Sequence, residues 1–164
     1  MHIPHLRAAE PRDAAAIVGL ISELAEFERL THLLQVTPAS LAEHLFGARP
    51  AAECVVAEGE GGDLVGVALC VTNFSTFLGR PGLYLEDLYI QPAHRGGGLG
   101  RALLVHLARL AVQRGCGRFE WSVLDWNVNA IRFYERMGAT VMPDWRICRV
   151  TGAALETFGA GPGA

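Results

Sequence analysis

The chain lacks most of the short signatures that would assign a chemistry outright. It has no G-x-G-x-x-G and no glycine followed by Lys-Ser/Thr, so neither a dinucleotide fingerprint nor a phosphate-cradling P-loop is supported. A Gly-x-Ser-x-Gly elbow is absent and no cysteine–histidine pairing can be read, so covalent catalysis is not indicated. The six histidines (2, 5, 32, 44, 94 and 106) show no metal spacing, and no metal is expected. Cys54, Cys70, Cys116 and Cys148 form no Cys-x-x-Cys pair. Cys54, Cys70 and Cys148 lie in apolar strand-like runs, where a reduced cysteine packs as a small hydrophobe.

Long apolar runs and basic charge are also missing. No run approaches the ~20 residues that span a bilayer, and no basic-then-apolar signal opens the chain. A net charge of −3 and a pI near 6.0 argue against nucleic acid or an anionic membrane as the main partner. A cytoplasmic location is expected. With 51% apolar and 19% charged residues over 164 positions, the chain reads as one globular domain, 1–164, with a flexible tail from about 156.

Periodicity places the elements. His2 to Ala8 reads as a strand, and Pro11 to about Arg29 as a helix, with Ile17, Leu20, Ile21 and Leu24 on one face. Thr37-Pro38 opens a second helix, which ends at Gly47. Strands are predicted over 53–58, 64–74, 83–90, 118–123 and 145–151. A third helix carries the stripe Leu99, Leu103, Leu107 and Leu110, and a fourth runs from about Asn129 to Met137, closed by Gly138. Strands that first pair locally and then alternate with helices predict an α/β fold with a mixed sheet and helices on both faces.

What is present in strength is Arg95-Gly96-Gly97-Gly98-Leu99-Gly100-Arg101, set between a strand and a helix. Glycines let backbone N–H groups at a helix N-terminus approach an anion closely, and flanking arginines add charge for a diphosphate. Arg95, Gly98 and Gly100 spell Arg-x-x-Gly-x-Gly, which resembles the pyrophosphate loop of the GCN5-related N-acetyltransferases. Tyr84-Leu85-Glu86-Asp87, Trp126-Asn127, Phe133-Tyr134 and Glu23-Leu24-Ala25-Glu26-Phe27-Glu28 are most similar to the spermidine/spermine (diamine) acetyltransferases within it.

The resemblance implies a central sheet of about six to seven strands flanked by about four helices. It implies acetyl-coenzyme A as co-substrate, lying between the fourth and fifth strands and contacting Leu88, Tyr89, Ile90, Arg95, Gly96, Gly97, Gly98, Leu99, Gly100, Arg101, Asn127, Ala130 and Tyr134. Glu86 would be the general base and Tyr134 the acid at the departing sulfur, with Phe27, Glu28, Glu86 and Asp87 at the amine substrate. Homodimers are common in such families. The acceptor could also be a protein N-terminus, an amino acid or an aminoglycoside, and the bare alternative is a non-catalytic acyl-coenzyme A binding module.

Glu86 and Asp87 stand side by side in an apolar strand. Strict alternation sends Tyr84, Glu86, Leu88 and Ile90 one way and Leu85, Asp87 and Tyr89 the other, so the two carboxylates should not share a site. A buried carboxylate needs a partner such as Arg132 or His94, a water or a task. Asn127 has a helix-cap reading beside the cofactor one.

Overall fold

The computed structural model describes residues 4–161, so Met1, His2 and Ile3 of the first predicted strand lie outside the described residues. The chain divides into two compact units, Met1–Ser122 and Val123–Ala164.

The first unit holds one five-stranded sheet in the order β1 (His5–Ala8), β2 (Glu53–Glu58), β3 (Leu64–Ser75), β4 (Arg80–Ile90), β5 (Arg118–Trp121). The first four strands pair antiparallel and β4–β5 pair parallel. Helix α1 (Ala14–Glu28) and α2 (Pro38–Phe46) separate β1 from β2; α3 (Leu99–Gln113) makes the crossover that a parallel pair requires. Where α2 begins, Thr37 Oγ1 accepts the Ser40 N–H at 3.1 Å and Pro38 takes the first helical position, as the dipeptide predicted.

Two apolar layers hold the sheet. Ile17, Leu20, Ile21 and Leu24 of α1 and Leu41 and Leu45 of α2 pack on Cys54, Val56, Val67, Leu69 and Tyr89. The alternate strand residues Val55, Ala57, Ala68, Cys70, Leu83 and Leu85 are also buried, and α3 packs against β4 with Leu99, Leu103, Leu104 and Leu107 inside. Leu110, predicted in that stripe, is only half-buried; Leu104 replaces it because the buried arc of a helix is wider than a single i, i+4 row. Burial pushes the thiols of Cys54 and Cys70 up to about 12, so both stay protonated as core hydrophobes.

A buried ion pair seats α1. Arg7 on β1 meets Asp13 at 2.7 Å and Glu58 at 2.6 Å, and Asp13 accepts the Glu10 N–H at 2.7 Å. The Arg7 guanidinium holds the Asp13 carboxyl below its ordinary range.

The second unit contains α4 (Val128–Arg136) and α5 (Gly152–Ala160). Two sequence expectations change here. The strand predicted over 145–151 does not form: the segment is exposed and without regular structure, Cys148 included, so the sheet has five strands rather than six or seven. Apolar alternation promotes a strand only where a neighbour completes the ladder. Residues 152–160 are helical, although a tail was expected from about 156; the Ala153-Ala154-Leu155-Glu156 run has high helix propensity. Residues 162–164 lie outside the described residues.

Candidate active site

An irregularity in β4 builds the site. Leu69 pairs with Asp87 and Cys70 with Leu85, so Glu86 has no residue opposite it. This extra residue reverses the alternation. Leu83 and Leu85 keep the α3 side, whereas Asp87, opposite Leu69, and Tyr89, opposite Val67, turn to the α1 side. The expected grouping of Leu85 with Asp87 and Tyr89 is thereby corrected. The charge of Glu86 acts on Asp87 directly.

Asp87 is half-buried, and its carboxyl is pushed up to about 6 by burial first, then by Glu86 and Glu28. Glu28, on the last turn of α1, is also raised by burial. Glu28 and Glu86 are thus both near enough to Asp87 for their charge to raise it. Among the described residues no ion pair joins any of them to a base, His94 included. Arg132 belongs to the second unit.

Past Leu85 the edge of β4 away from β3 has no strand partner among the described residues. Its parallel pairing with β5 stops at Leu85–Trp121, while β4 continues to Ile90. The Gln91 N–H donates to Val65 O at 3.0 Å, so by alternation the Tyr89 N–H also faces β3, and those of Leu88 and Ile90 face the open side. Of the three residues expected to offer backbone groups there, Leu88 and Ile90 do so. Tyr89 instead buries its ring under α1.

The glycine turn follows directly. Gly96 and Gly98 have φ of 79° and 86°, a left-handed region costly for other residues. Gly98 caps α3, and its carbonyl accepts from Ala102 N at 2.9 Å. Among the described residues, the backbone N–H groups of Gly96 through Arg101 have no protein acceptor. They form a cradle at the positive end of a 15-residue helix, with Arg101 exposed on its first turn. That chemistry fits a diphosphate. A cleft of about 320 Å³ lined by Leu6, Gly98, Arg101, Val105, His106 and Arg109 runs along α3 from this turn.

Arg95 reaches back over β4 and the end of α1. Its Nε donates to Ile90 O at 2.8 Å, and its guanidinium lies over the rings of Phe27 (5.7 Å) and Tyr89 (5.3 Å). Gln91 Nε2 donates to Glu23 Oε1 at 3.1 Å, a contact the sequence does not signal because 68 positions separate the two.

In the second unit, Asn127 caps α4: its Oδ1 accepts the Ala130 N–H at 3.3 Å, so the cap reading of Asn127 is realised. Tyr134 lies on the same helix, its ring 5.5 Å from that of Phe133. Among the described residues no cluster of His, Cys, Asp or Glu is placed to hold a metal ion. No described helix is long and apolar enough to cross a membrane.

Parallel strands that part beside a glycine-capped helix, with acids across the same strand, are the frame of an α/β transferase that handles an anionic and a cationic ligand together. Comparison with known proteins narrows the class. Residues 20–139 match the acetyltransferase (GNAT) family. L-ornithine N5-acetyltransferase NATA1 of Arabidopsis thaliana is 36% identical over 93% of this chain and 86% of its own length. Thialysine N-epsilon-acetyltransferase of Mus musculus is 36% identical over 92% of this chain and 94% of its own. A Vibrio cholerae integron cassette protein shares the fold, with a TM-score of 0.80 at 22% identity, covering 97% of this chain and 99% of that one. The chain belongs to the GNAT family and is an N-acetyltransferase.

Proposed function

We propose that the protein moves the acetyl group of acetyl-coenzyme A to a primary amine of a small diamine, polyamine or lysine-like substrate by direct attack. The observation that carries this reading is the group of Glu28, Glu86 and Asp87, carboxyls that no ion pair joins to a base among the described residues. Carboxylates are kept in such surroundings at a cost, and a second ammonium group on the substrate supplies the missing partner. The names of the relatives, acting at N5 of L-ornithine and the ε-nitrogen of thialysine, support an amine acceptor of this kind.

Each residue has a definite task. The N–H cradle of Gly96 to Arg101 holds the diphosphate, and the open edge at Leu88 and Ile90 holds the pantetheine arm. The Leu88 N–H donates to the thioester oxygen as charge develops there. An alkyl ammonium with a pKa near ~10.4 cannot attack; releasing its proton at neutral pH costs roughly 4 kcal/mol. Glu86, exposed at the bulge, accepts that proton through a water. Asp87 and Glu28 hold the distal cation, away from the reacting nitrogen, whose pKa they would otherwise raise. The family resemblance assigns Tyr134 as acid to the departing thiolate. Coenzyme A release across a panel of amines tests the reading: diamines and lysine analogues should outrun monoamines, and Glu86→Gln should lose rate at neutral pH with partial recovery as pH rises. Activity confined to peptides would assign the acceptor to a protein N-terminus. No release with any amine would leave a binding module.

A further inference from the structure

The last turn of α1 carries Phe27 and Glu28, and the helix stops at once because Arg29 adopts φ 60°. A helix end with few intrahelical bonds frays unless something holds it. Here contacts from two other segments hold it. Gln91, just after β4, donates to Glu23 one turn earlier at 3.1 Å, and the buried ring of Tyr89 packs in the core beneath α1. Arg95, the residue before the glycine turn, lays its guanidinium between the rings of Phe27 and Tyr89 while its Nε is taken by Ile90 O. A planar guanidinium suits this stacking, which a flexible ammonium would make poorly. Arg95 is absent from the groups acting on Asp87 or Glu28, so it does not neutralise the acids.

We propose that Arg95 is a positioning residue of the amine site: by clamping Phe27 against Tyr89 it sets the last turn of α1 so that Glu28 stands with Asp87. It thereby joins the amine site to the anion-binding turn that begins at the next residue. The inference rests on the diamine reading above. It differs from a phosphate-ligand role, which would spend the guanidinium on the co-substrate and leave Phe27 irrelevant.

The experiment uses the full chain and Arg95→Gln, Phe27→Leu and the double variant. Amide hydrogen exchange of residues 26–30 is measured without substrates, coenzyme A affinity by calorimetry, and KM for 1,3-diaminopropane against propylamine. The clamp predicts exchange at 26–30 faster by about fivefold or more in each single variant. It predicts a diamine KM about tenfold higher with propylamine KM changed by less than about twofold, because a monoamine needs no distal acid. Coenzyme A affinity should fall by no more than about threefold, and the double variant should be no worse than the poorer single one. Unchanged exchange, or a large loss of coenzyme A affinity with the diamine-to-monoamine ratio intact, would overturn the proposal. Should Arg95→Gln fail to fold, Phe27→Leu carries the same test from the helix side. A wild-type protein that acetylates no amine would sink the diamine reading, and the exchange comparison would still decide the clamp.

Discussion

Two aspartates of this molecule, Asp13 buried and Asp87 half-buried, have opposite surroundings. Asp13 sits where β1 hands over to α1, its side chain 7% exposed, gripped by Arg7 and by the Glu10 N–H. Asp87 sits on β4 near Glu86 and Glu28, and among the described residues no ion pair joins it to a base. The same side chain is therefore a structural anion in one place and, in the function proposed above, a cation receptor in the other. A carboxylate's neighbours, more than its burial, decide whether it stabilises the fold or is held at the fold's expense for a ligand.

The largest effects should come from removing each member of the pair. Asp13→Asn leaves Arg7 buried with Glu58 alone and should destabilise by about 3 kcal/mol, read as a lower denaturant midpoint, with amine KM unchanged in the folded fraction. Asp87→Asn should do the reverse: a melting temperature a few degrees higher, and a diamine KM raised about tenfold or more. If both variants lose stability alike, the contrast fails and Asp87 is structural.

Acid titration separates the two next. Asp13 has a depressed pKa, so its contribution is present above the ordinary carboxylate value and is lost as pH falls through the lower folded value. Asp87 has a raised pKa; its contribution is full below about 3.8 and disappears as pH rises through about 6. Over that same window the ionised Asp87 gains affinity for a cation, so diamine KM should fall as pH rises through about 6, while propylamine KM stays flat. Denaturation midpoints of wild type and Asp87→Asn against pH should converge below that window.

Smaller effects sharpen the picture. Gly98→Ala forces a side chain into φ 86° where no protein atom crowds it, so it should cost about 1–2 kcal/mol from backbone strain. Its coenzyme A affinity should fall further than the loss of stability explains, because the methyl group stands where the diphosphate approaches. Glu28→Gln should be the mildest, raising KM for diamines about threefold and for monoamines hardly at all, since Glu28 is only half-buried and its charge is partly screened.

Much of the fold was legible locally. The α1 and α3 stripes, the Thr37-Pro38 start and the glycine turn were all readable, because caps, periodicity and positive-φ glycines act within a few residues. The run over 145–151 was misread for the converse reason, as a strand is a property of two segments and its partner is not written in either.

The candidate site shows the same division. Residue types and order alone placed acids on an apolar strand and an anion cradle at the start of a helix, since those features depend on covalent neighbours. Which acids meet was decided in three dimensions. A single unpaired residue opposite β3 turned Asp87 from the α3 side to the α1 side, and the Arg95 guanidinium came to lie over the rings of Phe27 and Tyr89. Register and stacking are set by segments dozens of residues apart that share one buried surface, and only the folded chain brings them into contact.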